Sequence, residues 1–69
     1  MINNAPLISV IIPVSNGEKT IRETIFSVLN QTYKNIELIV INDGSLDLTL
    51  NIVYAIQDSR LKVFSYEKS

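Results

Sequence analysis

The stretch Ile36-Glu37-Leu38-Ile39-Val40-Ile41-Asn42-Asp43-Gly44-Ser45 decides how this chain folds. Ile36 to Ile41 is apolar apart from Glu37 and rich in β-branched residues. That is the composition of a strand covered on both faces, because a strand wet on one side alternates polar and apolar positions. Asn42-Asp43-Gly44-Ser45 then reads as a turn, since these side chains bond locally and glycine tolerates φ > 0. Another apolar run followed by a turn stands upstream, without internal duplication of sequence. Leu7-Ile8-Ser9-Val10-Ile11-Ile12-Pro13-Val14 is a buried-type strand, and Ser15-Asn16-Gly17 is its turn. Pro13 has no N–H to donate, so regular pairing is expected to stop there.

Between these strands the period changes. Over Glu18 to Asn30, Ile21, Ile25, Val28 and Leu29 share one stripe of a 3.6-residue repeat, which predicts a helix. The polar run Asn30 to Asn35 ends it. Downstream, Leu48, Ile52, Ala55 and Ile56 repeat the stripe, with Asp47 as the expected N-cap. Asp58-Ser59 breaks that helix, and Leu61 to Tyr66 predicts a third strand. The fold class is therefore α/β, a βαβαβ unit with a parallel three-stranded sheet. Right-handed crossovers put both helices on one face and the strands in order 3-2-1. Leu7–Val14 then lies at an edge despite its central-strand composition, and the helix-free face is bare. Both features predict the first part of a larger α/β domain, or a chain that self-associates as a homo-oligomer through the exposed 7–14 edge. Residues 1–6 are expected to be loose and 7–69 to form the domain.

Composition removes several function classes. The chain has 69 residues, six Lys+Arg against seven Asp+Glu, and a formal net charge of -1. No nucleic-acid partner is expected, because duplex binding needs clustered cations. Cysteine and histidine are both absent, which excludes thiolate zinc sites, cysteine nucleophiles and imidazole acid–base chemistry. No apolar run approaches the roughly 20 residues of a membrane helix. Met1 to Ala5 carries no Lys or Arg, unlike a secretory leader, so cytoplasmic placement is expected.

Ligands of open parallel sheets bind beyond the carboxyl ends of the strands. The two turns, Pro13 to Gly17 and Asn42 to Asp47, occupy that rim. Asp43 is the most informative residue there. A carboxylate held at the end of an apolar strand can accept hydrogen bonds from a base N–H or a ribose hydroxyl; equally, Asp-Gly can simply form a tight turn. Asp47 reads as a helix cap, and Asn16, Gly17 and Asn42 as turn residues. Ser45 has no His or Lys companion to make it a nucleophile. Tyr33, Tyr54, Phe26, Phe64 and Tyr66 read as packing groups. G-x-G-x-x-G and G-x-x-x-x-G-K-[ST] are missing, with only Gly17 and Gly44 present. Asp43 and Asp47 alone supply too few oxygens for a metal site, so no metal is assigned to this chain.

Four segments together carry a resemblance: Ile8–Val14, Asn16-Gly17, Ser27-Val28-Leu29-Asn30-Gln31-Thr32-Tyr33, and Glu37–Ser45. In this order and spacing they resemble the start of glycosyltransferase family 2, inverting enzymes of the GT-A, Rossmann-like fold that use nucleotide-diphospho-sugar donors. The resemblance runs from about Leu7 to Tyr66. It implies that Asp43 contacts the pyrimidine ring, and that Pro13, Val14, Ser15 and Asn16, with Gly44 beside Asp43, cradle base and ribose. It also implies a UDP-sugar as ligand and Mg or Mn as the parent enzyme's cofactor. Two departures stand out. Ser15 replaces a ring that commonly stacks on the base, and Asn42-Asp43-Gly44-Ser45 replaces the frequent Asp-Asp-Gly-Ser. No Asp-x-Asp occurs in the chain, so neither metal ligands nor a catalytic residue is assigned, and the isolated chain is expected to be inactive. One charge-assisted hydrogen bond contributes about 1.5–3 kcal/mol, whereas micromolar binding takes about 8 kcal/mol. Asp43 and loop contacts alone therefore predict weak, millimolar binding. The competing functions are a non-catalytic interaction module paired through its sheet edge, and a nucleotidyltransferase, which lacks its Gly-rich, cation-bearing loop here.

Overall fold

A computed structural model describes residues 6–66. Five elements follow in the expected order: β1 (Ile8–Val14), α1 (Ile21–Leu29), β2 (Ile36–Asp43), α2 (Thr49–Ala55) and β3 (Leu61–Tyr66). The strands form one parallel sheet in the order β1-β2-β3, so the βαβαβ expectation and the 3-2-1 order hold. Ile8 faces Ile36 and Val14 faces Asn42 across β1 and β2, while Leu38 faces Leu61 and Asp43 faces Tyr66 across β2 and β3. The expected loose segment 1–6 falls, for residues 1–5, outside the described residues; the Pro6 carbonyl accepts a hydrogen bond from the Tyr33 hydroxyl.

The core lies between the sheet and the helices. Ile21, Ile25 and Leu29 of α1 and Val53 of α2 pack with Ile36, Leu38 and Val40 of β2. Val10, Ile12 and Val14 of β1 and Leu61 and Val63 of β3 flank it. These residues alternate along each strand, as the pleat requires.

Several local expectations need correction. Pairing does not stop at Pro13: β1 stays in register with β2 through Val14, and as an edge strand it can place the proline where no N–H is needed for the ladder. Residues 18–20 form a turn instead of the first helical turn, because the Gly17 carbonyl accepts from Thr20 N–H (3.1 Å) and Ile21 N–H (2.8 Å) and starts α1 at Ile21. β2 continues through Asn42 and Asp43, so these two residues end a strand and the turn begins at Gly44, whose φ is 63°. Glycine adopts that left-handed conformation without the steric cost of a Cβ. The stripe of α2 holds in part: Ile52 and Ile56 pack half-buried against the core as expected, but its centre lies elsewhere. Thr49 and Val53 are buried, whereas Leu48 is 58% exposed and Ala55 is exposed. Asp47 is not the cap residue. Leu48 holds that position without a side-chain cap bond, and the Asp47 carboxylate accepts from Thr49 N–H at 2.9 Å one step outside it. Among the aromatic residues, Tyr33 packs on the core and Phe26 is half-buried, but Tyr54, Phe64 and Tyr66 are exposed and are not packing groups.

Arg60 closes the opposite end of the sheet. Its guanidinium bonds both Asp58 oxygens (3.1 and 3.0 Å) and the Leu29 carbonyl at the end of α1 (3.2 Å). A cation there meets the carbonyls that a helix C-terminus leaves without intrahelical partners.

Candidate functional site at the carboxyl rim of the sheet

Parallel pairing of β1 with β2 delivers both expected turns to one end of the sheet. They are bonded to each other directly. Asn16 sits at φ 55°, a conformation asparagine tolerates better than most residues. From there its side-chain oxygen accepts from Leu46 N–H (2.7 Å) and its own N–H donates to the Ser45 hydroxyl (2.9 Å). That hydroxyl donates to the Asn42 side-chain oxygen, and the Asn42 amide donates to the Ser65 hydroxyl at 3.2 Å. One chain of hydrogen bonds thus crosses from the end of β1 over β2 to β3.

A second set lies alongside. Gly17 N–H donates to the Thr49 hydroxyl oxygen (2.8 Å), and Thr49 Oγ1–H donates to Asp47 Oδ1. The other Asp47 oxygen accepts from Glu18 N–H (3.2 Å), and Glu18 Oε1 accepts from Leu48 N–H (3.3 Å). The Thr49 hydroxyl, more than any other contact, holds the Asp47 carboxyl below the usual carboxylate range, opposed by partial desolvation and assisted by the backbone N–H groups of Thr49 and Glu18. Gly17 is required by close approach: a Cβ there would lie 2.6 Å from Val14 Cγ2.

Asp43 stands apart from this network. It is exposed at the end of β2, on the helix-free face beside Tyr66, and among the described residues its carboxylate has no hydrogen-bond partner. Gly44 N–H donates to the Tyr66 carbonyl at 2.8 Å, which fixes the backbone immediately after it. Pro13 and Ser15 are exposed, Val14 is half-buried against the core, and Asn16 is engaged with the second turn. A concavity of about 310 Å³ opens between Asn42, Ser45, Leu50, Ser65 and Tyr66. Its size is at the lower end of small-ligand clefts, about 300–1,000 Å³. Gly44 and Leu46 also line it, and Asn16 is bonded to two of its lining residues, Ser45 and Leu46, whereas Pro13, Val14, Ser15 and Asp43 do not line it.

Two residues escaped the sequence reading. Asn42 is 3% exposed and Thr49 is 0% exposed, and both are bonded through their side chains. Asn42 falls in phase with Ile36, Leu38 and Val40, so the two-residue period already pointed it inward. Thr49 has a local partner in Asp47, two residues earlier, but nothing local marks its contact with Gly17, about thirty residues away. Among the described residues no three His, Cys, Asp or Glu side chains gather to hold a metal ion. Among the described residues Asp47 is engaged by backbone and hydroxyl donors and Asp43 stands apart from other carboxylates, so these residues do not fit a divalent cation.

The family model for glycosyl transferase family 2 matches residues 9–69, which takes in both turns, β2, β3 and all of β1 but Ile8. The chain belongs to glycosyl transferase family 2. Its parallel α/β unit is consistent with the N-terminal part of the GT-A fold. An uncharacterized glycosyltransferase of Haemophilus influenzae is 53% identical over 64 residues, covering 90% of this chain and 20% of that protein. An uncharacterized glycosyltransferase of Rickettsia typhi is 57% identical over 54 residues, 78% of this chain and 17% of the relative. An Escherichia coli protein named UDP-Glc:alpha-D-GlcNAc-diphosphoundecaprenol beta-1,3-glucosyltransferase is 49% identical over 55 residues, 80% of this chain and 22% of that enzyme. The chain thus spans about a fifth of the length of these relatives. A divalent cation in longer members is consistent with this membership.

Proposed function

We propose that this chain is the N-terminal nucleotide-sugar-binding part of an inverting glycosyltransferase, which transfers a sugar from a nucleotide-diphospho-sugar to an acceptor hydroxyl. The observation that carries this reading is the meeting of the two turns at one rim, with an uncommitted carboxylate beside them. In this reading Asp43 accepts the ring N–H of a pyrimidine base. Pro13, Val14, Ser15, Asn16 and Gly44 shape the surface on which base and ribose rest. UDP-sugar is the donor class, in keeping with the name of the Escherichia coli relative. The reaction is a single displacement at the anomeric carbon, and Mg or Mn belongs with carboxylates that this segment does not supply. The 69-residue chain by itself binds the donor at millimolar strength and transfers nothing. We place the protein in the cytoplasm on the same reading.

The test is an NMR titration of the ¹⁵N-labelled chain with uridine diphosphate, with and without manganese. Shifts confined to Pro13–Asn16 neighbours, Asp43 and Gly44, with millimolar saturation, are the expected result. A tight, metal-dependent isotherm overturns the partial-site reading, and no shifts at the rim overturn the nucleotide assignment.

The second reading is an interaction module, favoured by one observation. β1 pairs only with β2 among the described strands, and Ile8 (46% exposed) and Ile11 (58% exposed) stand on it uncovered. A free apolar edge is a template for pairing with another chain. Size-exclusion chromatography with light scattering separates the readings: a homo-oligomer supports pairing through the 7–14 edge, and a monodisperse monomer removes it.

A further inference from the structure

We propose that Thr49 is a positioning residue that locks the first rim turn in its binding conformation. This rests on the nucleotide reading above. The Thr49 side chain is fully buried on the first turn of α2, yet it is polar and its hydroxyl is committed at both ends. It donates to Asp47 Oδ1 and accepts Gly17 N–H at 2.8 Å. Asp47, held in place by Thr49, accepts Glu18 N–H with its other oxygen. Consecutive N–H groups of the first turn therefore hang on one hydroxyl–carboxylate pair about thirty residues away.

The chemistry makes the hydroxyl hard to replace. Valine has nearly the same shape but neither donates nor accepts. With valine in place, Gly17 N–H loses its acceptor in a part-buried position, and a donor left unmade there costs more than the bond itself is worth. The backbone cannot relax freely, because Gly17 already lies against Val14, and Val14 is one of the residues on which the base and ribose are proposed to rest. The Asn16–Ser45 bond is exposed and water can substitute for it, so it does not carry the same constraint. The latch thus sets the position of Pro13–Asn16 relative to Asp43 before any ligand arrives, and preorganisation of this kind lowers the cost of ordering on binding.

The test compares the full chain with Thr49→Val and Thr49→Ser by amide hydrogen exchange, then by titration with uridine diphosphate. In Thr49→Val, exchange at Gly17 and Glu18 is expected to rise about tenfold relative to the β2 amides of Leu38 and Val40, which correct for any global loss of stability. The initial slope of the nucleotide-induced shift at Asn16 is expected to fall about tenfold. Thr49→Ser restores both, since it keeps the hydroxyl. If Thr49→Val does not fold, Asp47→Asn serves in its place, with faster exchange at Glu18 as the readout. Unchanged relative exchange at Gly17 or Glu18 overturns the latch. Faster exchange without any change in the nucleotide slope leaves a structural bond and overturns the positioning role. No nucleotide shift in the unsubstituted chain overturns the nucleotide assignment and the positioning role with it, while the exchange measurement still reports on the latch.

Discussion

The two faces of β2 are built from similar side chains and meet opposite surroundings. Ile36, Leu38, Val40 and Asn42 point toward the helices and are buried; Glu37, Ile39 and Ile41 point away and are only half-covered, and Asp43 is exposed. Neighbouring strands continue the contrast. Val10, Ile12, Val14, Leu61 and Val63 flank the core, whereas Ile11 and Phe64 stand 58% and 47% exposed on the other side. Apolar composition therefore did not determine burial. A three-stranded sheet has two faces, and the two crossover helices cover the same one. The difference also separates the tasks of the molecule. The covered face holds the sheet together, while Asp43 belongs to the uncovered one.

The sharpest way to break this comparison is to truncate one side chain on each face. Leu38→Ala should cost about 2–5 kcal/mol, enough to unfold much of so small a domain. Ile11→Ala should stay within about 0.5 kcal/mol. Urea denaturation followed by circular dichroism measures both; equal costs would mean that the uncovered face is buried in solution by another copy.

Gly17→Ala tests how tightly the first turn is seated against the covered side. The added methyl meets Val14 Cγ2 at 2.6 Å, on a short and stiff β-branched side chain. Overpacking of this kind should cost about 1–3 kcal/mol, read as a lower urea midpoint with an unchanged slope.

Acid should loosen the rim before the core. Asp47 is held below the usual carboxylate range chiefly by the Thr49 hydroxyl, and Asp58 chiefly by the Arg60 side chain. A carboxyl whose folded-state pKa is depressed adds stability above its unfolded value and loses it as pH falls through the lowered one. The urea midpoint should therefore hold from about pH 7 to 5 and decline below about pH 4. Asp47→Asn should flatten part of that decline, and an equally steep decline in the variant would remove Asp47 from the account.

The smallest effect on stability belongs to the exposed carboxylate. Asp43→Asn should change the unfolding free energy, read from urea denaturation, by no more than about 0.5 kcal/mol. The same variant should lose the uridine diphosphate shifts at the rim. A stability loss comparable to Gly17→Ala would instead assign Asp43 to the turn.

Much of the fold was legible along the chain. Apolar runs at 8–14 and 36–41, separated by a helical stripe at Ile21, Ile25 and Leu29, are local patterns, and the strand order followed from the handedness of crossovers. The residues of the rim were legible as residues but not as a network. Asn42 looked like a turn former because its neighbours Asp43 and Gly44 favour turns, yet pairing with Val14 on one side and Ser65 on the other keeps it in the strand. Asp47 looked like a cap because it precedes a helix, yet its second oxygen faces Glu18.

By itself, the sequence determined the element types, the parallel α/β class and the family, since each depends on short-range periodicity or on the order of segments. Only the tertiary structure decided which apolar residues were left uncovered, why threonine and asparagine could be buried, and how two turns about thirty residues apart share donors and acceptors. The physical reason is reach. A hydrogen bond needs its two atoms within about 3 Å, and separation along the chain does not say which distant groups the register of a sheet will bring that close.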